Sequence, residues 1–351
     1  MREFDYHKLI ERTWDNEILS YIAQIHECKG RQELFLRKKP VELNRLIEIA
    51  KIQSTESSNR IEGIVTTNPR LKQLMSDKTT PRNRDEEEIL GYRNVLNLVH
   101  ESYNAIPIRP NYILQMHRDL LKYTGFTYGG SFKTTQNEID MMLSTGERIT
   151  LFKPLEPYET PDAVRNICES FGREIELGMV DHLILIPCFI LDFLCVHPFN
   201  DGNGRMSRLL TLLLLYRSGY MVGQYISIEK AIADTKEDYY KALALADQNW
   251  HTAENDPKPF IKYMLGIILG CYREFEDRLT IAERSGPKST AYDVVKEYAM
   301  SHIGTFTKQN ALAGCPSLGS SSVEAALKKL VTDGTLTRLG SGRKTHYVRS
   351  D

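Results

Sequence analysis

The sequence predicts a mainly α-helical protein with one β-hairpin near its middle and a smaller helical and stranded module at its C-terminal end. Apolar residues recur at helical spacing in most segments, for example at Ile18, Ile22 and Ile25. A break with several glycines at 125–130 is followed by β-forming residues up to Phe152. Beyond residue 292, three short helical patterns precede two strand-like segments. These observations together favour helices packed on helices, with β-structure confined to hairpins.

The overall composition restricts the class of protein. The 351 residues include 45 basic and 46 acidic side chains, so the net charge of −1 gives no argument for nucleic acid or membrane binding by the whole chain. The six cysteines show neither CxxC pairing nor metal-ligand spacing, which predicts reduced thiols in the core. There is no apolar targeting segment, and no apolar run reaches the ~20 residues of a membrane helix. We therefore expect a cytoplasmic protein without a membrane segment.

A polar stretch between two apolar segments contains the residues suited to chemistry. Residues 197–208 read HPFNDGNGRMSR, and the flanking segments 182–196 and 209–216 are both predicted as buried helices. Gly202, Asn203 and Gly204 leave backbone amides free at the start of the second helix. Such a helix start attracts anions, and glycine tolerates the positive φ angles of an amide nest. This loop is therefore a predicted phosphate site.

The charged residues of the same stretch predict nucleotide chemistry. Arg205 and Arg208 are three apart, so we expect them to share a helix face and to reach a polyphosphate together. Asp201 is a candidate ligand for Mg²⁺, which prefers carboxylate and phosphate oxygens. His197, with an unperturbed pKa of ~6.5, is a candidate general base.

Other interpretations of the stretch fit less well. A Walker A loop requires a lysine and then serine or threonine after its glycines, and neither follows Gly204. A Rossmann fingerprint requires a preceding strand and a third glycine, where this chain has an apolar helical segment and Ser207. The structural alternative is that His197 and Asp201 only cap a core helix, which would leave the complete set of polar residues unexplained.

The stretch resembles the Fic (filamentation induced by cAMP) family, whose signature HPFx[DE]GNGRxxR is matched at every specified position from His197 to Arg208. The resemblance implies a helical Fic core, ATP as substrate, Mg²⁺ as cofactor, and transfer of AMP to a serine, threonine or tyrosine hydroxyl of a protein. It further implies that Arg208 contacts the γ-phosphate. The family roles agree with those inferred from the residues themselves.

The resemblance extends to the N-terminal region, which is predicted to form two helices separated near Pro40. Residues 58–63 match the family's inhibitory pattern [ST]xxxE[GN] through Ser58, Glu62 and Gly63. An ion pair between Glu62 and Arg208 would keep the arginine from the γ-phosphate. We therefore expect an adenylyltransferase restrained by a helix of its own chain, with Gly63 as the C-cap of that helix.

Two further segments receive roles from the resemblance. The run GSFKTTQN resembles the start of the family's β-hairpin flap, which aligns a target by strand addition. The flap residues predicted to dock the target are Lys133, Thr134, Thr135 and Gln136. The family also has aromatic residues near the adenine at the positions of Tyr239 and Tyr240. The predicted hairpin tip, 140–145, identifies no target.

The C-terminal pattern of three helices followed by a hairpin resembles a winged helix-turn-helix domain. Five basic residues are candidate phosphate contacts on DNA, namely Lys328, Lys329, Arg343, Lys344 and Arg349. The alternative is a protein-docking module or one that forms a homodimer. We predict three regions: an N-terminal helical region at 1–84, a Fic domain at 85–283 and the C-terminal domain at 284–351.

Three functional hypotheses remain open from the sequence. The first is AMP transfer restrained by Glu62, and the second is the reverse reaction, in which Glu62 orients a water that removes AMP from a protein. The third is a DNA-binding regulator whose Fic core senses nucleotide. Transfer of the γ-phosphate is disfavoured, because relatives with that activity have lysine at the position of Gly204.

Overall fold

The computed structural model describes residues 2–36, 40–76, 79–142, 148–284, 290–302, 304–315, 318–342 and 345–350. Helices dominate these ranges, and the strands form two separate two-stranded antiparallel sheets. The helices are α1 (Asn16–Leu36), α2 (Pro40–Ile61), α3 (Asn68–Met75), α4 (Arg84–Ser102), α5 (Pro110–Leu120), α6 (Thr160–Leu177), α7 (His182–Val196), α8 (Asn203–Arg217), α9 (Ile228–Asp234), α10 (Lys236–Ala246), α11 (Lys258–Arg284), α12 (Ala291–Ser301), α13 (Lys308–Gly314) and α14 (Ser320–Thr332). The strands are β1 (Ile139–Met142), β2 (Arg148–Phe152), β3 (Leu336–Leu339) and β4 (His346–Arg349). The predicted mainly α class is confirmed.

The N-terminal helices begin and end close to the predicted positions. α1 ends at Leu36 and α2 begins at Pro40, whose fixed φ suits the first turn of a helix. α2 ends at Ile61, and Gly63 follows with a φ of 80°. This left-handed conformation confirms Gly63 as the residue that ends the helix, because it strains residues that carry a Cβ. Glu62 lies between them, in the turn.

Two helices, α4 and α5, account for most of residues 84–120. α4 begins after Asn83, whose side chain accepts from the amide of Glu86 as an N-cap. A short 3₁₀ turn and Pro107 separate α4 from α5, where Pro110 occupies the first turn. The eight-residue helix α3 was not predicted from the sequence. It packs Leu71 and Leu74 against Ile89 of α4.

The helices on either side of the polar stretch form the centre of the core. α7 coincides with the predicted segment, and every residue from Leu183 to Val196 is buried. Its interior charge, Asp192, accepts hydrogen bonds from Tyr6 Oη at 2.9 Å and Trp250 Nε1 at 2.7 Å. α8 is buried from Leu209 to Tyr216. Because α7 and residues 209–216 of α8 are buried, both ends of the polar stretch are anchored in the core.

The predicted central hairpin is present. β1 and β2 are antiparallel, with Asp140 opposite Thr150 and Met142 opposite Arg148. An irregularity in the register lies between Ile139 and Asp140. Residues 143–147, which include half of the predicted tip at 140–145, lie outside the described residues, and 140–142 belong to β1.

The C-terminal module contains the three predicted helices and the predicted hairpin. α12, α13 and α14 enclose an apolar cluster centred on Val295, Phe306, Leu327 and Leu330. β3 and β4 are antiparallel, and Phe306 forms a bridge with Tyr347 that adds a short third edge to the hairpin. Residues 285–289, near the start of the predicted C-terminal domain at 284–351, lie outside the described part of the chain.

Contacts divide the chain into two compact units. The first comprises residues 1–26, 51–223 and 227–269, and the second comprises 27–50, 224–226 and 270–351. All six cysteines are buried. Within the described ranges, no helix is both long enough and apolar enough to cross a bilayer.

Candidate active site

His197 ends α7 in a left-handed conformation with a φ of 49°, which is unusual for a residue with a side chain. Its Nδ1 lies 3.2 Å from the carbonyl of Leu194. A carbonyl only accepts, so Nδ1 carries the proton and Nε2 keeps a free lone pair. Burial lowers the pKa of His197 to about 4, and the nearby charge of Lys133 acts in the same direction. The imidazole is therefore neutral at pH 7, as a proton acceptor requires.

The loop after His197 has the form of an amide nest at a helix start. Gly202 has a φ of 82° and is the N-cap of α8, and the amide of Met206 donates the first helical hydrogen bond to its carbonyl at 2.8 Å. The side chain of Asn203 is turned inward, where Oδ1 accepts from the amide of Phe199 and Nδ2 donates to the carbonyl of the same residue. Asn203 therefore closes the loop with its side chain and leaves only its amide for a ligand.

Asp201 is the single carboxylate of the stretch 197–208, and 37% of its side chain is exposed. Two arginines flank it: Arg205 Nη2 lies 3.5 Å from Oδ1 and Arg84 Nη2 lies 3.6 Å from Oδ2. Among the described residues there is no group of three or more histidine, cysteine and acidic side chains that could hold a metal ion without help. The donor set fits Mg²⁺ if phosphate oxygens complete the coordination.

The two arginines of the motif do not share a task, contrary to the sequence-based prediction. Arg205 is 1% exposed, and its Nη1 lies 2.6 Å from Oε2 of the buried Glu88 on α4. Because the carboxylates of Glu88 and Asp201 hold its guanidinium, Arg205 does not reach toward a nucleotide with Arg208. It braces the loop against α4.

Arg208 is bound to the residues of the predicted inhibitory pattern. Its Nε donates to Ser58 Oγ at 2.8 Å, and its Nη2 donates to the carbonyl of Ser58 at 3.0 Å and to Glu62 Oε1 at 2.7 Å. Burial on its own would raise the pKa of Glu62, but the charge of Arg208 and its hydrogen bond hold that pKa below its usual value. Glu62 is therefore ionised, and Nε and Nη2 of the buried arginine are both engaged.

The carboxylate of Glu62 lies over the start of α8. A Cβ added at Gly204 would come within 2.3 Å of Glu62 Oε1 and within 3.3 Å of Arg208 Nη1. The carboxylate therefore occupies the space that a side chain at 204 would fill, at a helix end that favours negative charge.

A second buried carboxylate connects α2 to the core, and it was not found from the sequence. Glu229 accepts hydrogen bonds from Ser54 Oγ at 2.7 Å and from Tyr92 Oη at 3.1 Å. Burial raises the pKa of Glu229, while the hydroxyl bonds act against that rise. Ser54 lies one helical turn before Ser58, so the same face of α2 is bound twice. A glutamate near the start of α9 gives no sequence signal that distinguishes it from a solvated one.

His117 of α5 is another contact that the sequence analysis missed. The amide of Gly130 donates to its Nδ1 at 3.1 Å, so its Nε2 carries the proton and donates to the carbonyl of Asp201 at 3.1 Å. Its ring stacks on Phe199 with centroids 3.7 Å apart. Burial lowers the pKa of His117 to about 4. It therefore supports the motif loop as a neutral side chain.

The two predicted adenine residues differ in burial. Tyr239 is buried, with its ring edge-on to those of Phe260 and Tyr263, so it packs in the core. Tyr240 is half-buried, with the amine of Lys236 5.7 Å from its ring centre. Only Tyr240 retains an accessible surface for contact with a base.

The residues predicted to dock a target lie in different surroundings. Thr134 and Thr135 are exposed, and Gln136 Nε2 donates to the carbonyl of Pro154 at 2.8 Å. Lys133 is 2% exposed and donates to the carbonyl of Val196, so its amine faces the motif loop and not a target. The prediction for Lys133 is wrong, because a lysine in a loop is normally solvated and this one is enclosed.

The candidate DNA contacts are only partly described. Lys328 and Lys329 are exposed on α14. Arg349 donates to the carbonyl of Met300 at 3.2 Å, so its guanidinium is in part engaged within the module. Arg343 and Lys344 lie outside the described residues.

Comparison with known proteins identifies the region that contains the motif. The model of the Fic/DOC family matches residues 107–215. The protein adenylyltransferase fic-1 of Caenorhabditis elegans is 27% identical over 193 residues, which cover 52% of this chain and 32% of the relative. The protein adenylyltransferase Fic of Drosophila melanogaster is 25% identical over 249 residues, which cover 69% of this chain and 43% of the relative. This chain thus spans about a third to two fifths of the curated relatives it matches.

Solved structures share the fold. A Fic family protein from Desulfovibrio desulfuricans superposes with a TM-score of 0.62 at 19% identity, covering 96% of this chain and 97% of that chain. Fic-1 (residues 134–508) from C. elegans gives a TM-score of 0.60 at 19% identity, covering 76% of this chain and 73% of that chain. Since the motif stretch 197–208 lies within the matched range 107–215, the chain contains a domain of the Fic/DOC family.

Proposed function

We propose that the protein transfers AMP from ATP to a serine, threonine or tyrosine hydroxyl of a protein, including its own, and that Glu62 restrains this reaction. The proposal rests on His197, which is neutral and has Nε2 free to accept a proton. His197 directly precedes the loop that forms the amide nest at the start of α8, the helix that also carries Arg208. The names of the curated relatives, which are protein adenylyltransferases, agree with it.

The reaction follows from the arrangement of these groups. The target hydroxyl transfers its proton to Nε2 of His197 as its oxygen attacks the α-phosphorus of ATP. The bond from the α-phosphorus to the oxygen that bridges to the β-phosphorus breaks, and pyrophosphate leaves. The backbone amides of Asn203 and Gly204 would donate to phosphate oxygens as negative charge moves to the leaving group. The amide of Gly202 already donates to Asp201 Oδ1, so it does not belong to the free part of the nest. Tyr240 would contact the base, whereas Tyr239 would hold α10 in place.

Asp201 would hold the Mg²⁺ that accompanies ATP. When bound there together with phosphate oxygens, the ion would neutralise charge that passes to pyrophosphate. Arg84 and Arg205 fix the carboxylate from both sides, so its position does not depend on the nucleotide.

Glu62 would restrain the reaction by competing for Arg208. The family resemblance assigns Arg208 to the γ-phosphate, but Glu62 Oε1 lies 2.7 Å from its Nη2 and Ser58 Oγ lies 2.8 Å from its Nε. An ionised carboxylate at this point would also repel the phosphate. ATP would then lack the clamp that orients its triphosphate for transfer.

Labelled ATP tests both parts of the proposal. We expect Glu62→Gly to raise self-labelling by at least about tenfold, the equivalent of roughly 1.4 kcal/mol, because Arg208 is released. Adding His197→Ala to that variant should abolish the labelling. Glu48→Ala, at an exposed glutamate within α2, serves as a control for loss of a carboxylate, because alanine preserves the helix. Labelling that persists without His197 would contradict AMP transfer, and an unresponsive Glu62 variant would contradict the restraint.

The geometry also favours a second activity at the same site. Glu62 is ionised and about one third exposed, and its charge acts on His197, so it could orient a water toward an AMP-carrying side chain. Incubation of the unmodified chain with the AMP-labelled Glu62→Gly protein distinguishes the two directions. Release of AMP by the unmodified chain, and not by a Glu62→Gln variant, would assign the reverse reaction to it.

A further inference from the structure

The base histidine has a backbone conformation that is uncommon for a residue with a side chain. A φ of 49° places His197 in the left-handed region, where a side chain with a Cβ is strained. Such a conformation persists only when surrounding contacts determine it. The contacts on both sides of His197 therefore show what holds the base in place.

Lys133 binds the backbone on either side of His197. Its Nζ donates to the carbonyl of Val196 at 3.2 Å, and its own amide donates to the carbonyl of Pro198 at 2.8 Å. Burial lowers the pKa of Lys133 to about 8, which still leaves most of the amine protonated at pH 7. Lys133, which precedes the flap hairpin, thus binds the backbone carbonyls directly before and directly after His197.

Asn137 continues this connection one residue further along the motif. Its Oδ1 accepts from Lys133 Nζ at 2.9 Å, and its Nδ2 donates to the carbonyl of Phe199 at 2.9 Å. Asn203 donates to the same carbonyl from the other side at 2.7 Å. The carbonyls of 196, 198 and 199 are therefore all bound by the segment that leads into β1, which begins two residues after Asn137.

We propose that Lys133 and Asn137 are positioning residues that hold His197 in its reactive conformation and couple it to the flap hairpin. We call the contacts of Lys133 and Asn137 with the carbonyls of 196, 198 and 199 the bracket. The bracket is present in the free protein, so the inference rests on the proposed AMP transfer only for its expected effect on turnover. A target strand that adds to β1 or β2 would act on a hairpin whose first strand starts beside this bracket. Target binding and alignment of the base are thereby linked through the backbone.

The test uses two variants in the Glu62→Gly background and a readout that does not depend on activity. Lys133→Met removes the charge and the Nζ donor, whereas Asn137→Ala keeps the charge and removes the bond to Phe199. Lys122→Met, at an exposed lysine, is the matched control. Nitrogen chemical shifts of the imidazole report the tautomer and the pKa of His197 in each free protein.

We expect both bracket variants to lose the single Nδ1-protonated tautomer of His197. Lys133→Met should also raise the pKa of His197, because the positive charge of Lys133 lowers that pKa. The other two charges that act on His197 do not change between these variants, since Glu62 is absent from the parent and Asp201 is retained. Asn137→Ala should leave that pKa low. Turnover should fall by roughly tenfold to a hundredfold, with KM for ATP within about twofold of the parent. Lys133→Arg, which keeps the positive charge and a donor, should retain much of the turnover that Lys133→Met loses.

The outcomes separate the inference from the proposed function. If the Glu62→Gly parent transfers no AMP, the proposed function fails, but the tautomer and pKa of His197 still decide the bracket. An unchanged imidazole in both Lys133→Met and Asn137→Ala would overturn the inference. If Lys133→Met does not fold, Asn137→Ala alone decides it by the same measurement.

Discussion

At the scale of single residues, the absence of a side chain at 204 determines what can occupy the start of α8. Glu62 Oε1 lies 2.3 Å from where a Cβ would be, so the Arg208 ion pair exists in its present form only with glycine there. The backbone of Gly204 lies outside the left-handed region, so alanine meets no conformational obstacle in the helix itself. Its effect should therefore depend on Glu62.

Gly204→Ala is expected to destabilise the unmodified chain by about 1 kcal/mol, because it displaces the Glu62 carboxylate from Arg208. In the Glu62→Gly background the same change should be neutral or should stabilise by up to about 1 kcal/mol, the helix preference of alanine over glycine. Urea unfolding of the four proteins gives the coupling energy. Additive effects, with a coupling below about 0.5 kcal/mol, would show that the clash does not govern this site.

At the scale of elements, α2 binds the core through residues four apart. Ser54 is bound to Glu229, Ser58 to Arg208, and Glu62 to Arg208 just beyond the end of the helix. A spacing of four places all three on one stripe. Arg208 is thus held by the packing of one face of α2 against the core, and the bond to Glu62 is one of several contacts on that face.

Ser58→Ala tests the contribution of the helix separately from that of the carboxylate. It removes the bond from Arg208 Nε to Ser58 Oγ and leaves the bond to the Ser58 carbonyl, so we expect partial release. Self-labelling should rise by about fivefold to tenfold, for a charged hydrogen bond of roughly 1 to 1.5 kcal/mol, and stay below that of Glu62→Gly. Ser57→Ala, its buried neighbour, is the control. Labelling equal to that of the unmodified chain would confine the restraint to Glu62.

At the scale of the whole molecule, the parts that could be predicted are those whose evidence is contiguous in sequence. His197 and Arg208 fall within twelve residues, and α7 coincides with its predicted range because the apolar run ends abruptly at polar residues. Glu88 and Glu229 could not be found this way. Each lies in a helix whose glutamates look solvated in sequence, and their partners Arg205 and Ser54 are more than a hundred positions away.

Three buried histidines make the stability of the chain depend on pH. Burial lowers the pKa of His100 to about 3 and those of His117 and His197 to about 4, below the unfolded value of ~6.5. The unfolded chain therefore takes up protons first, so their stabilisation is complete above pH 6.5 and is lost as pH falls toward 4. Asp247, whose pKa burial raises to about 6, opposes roughly one of them between pH 6 and 4. Burial also raises the pKa values of Glu229 and Asp192, which offset a further part of the histidine effect.

The free energy of unfolding should fall by up to about 3 kcal/mol per pH unit below pH 6, since each uncompensated histidine contributes about 1.4 kcal/mol. Urea unfolding at pH 7.5, 6.5 and 5.5 measures this dependence. His100→Leu should reduce the slope by about 1.4 kcal/mol per pH unit, and His251→Gln, at an exposed histidine, is the control. A free energy that stays constant down to pH 5 would contradict the account.

The buried cysteines can serve as probes of how often the core opens to solvent. Burial raises the pKa of Cys168 and Cys315 to about 12 and raises those of Cys188 and Cys195 as well, so almost no reactive thiolate forms near neutral pH. An alkylating reagent can then modify them only after the surrounding core opens. Cys188 lies near the centre of α7 and Cys195 lies two residues before His197, while Cys315 belongs to the C-terminal cluster. The modification rate of each cysteine therefore reports how often its own part of the native chain opens to solvent.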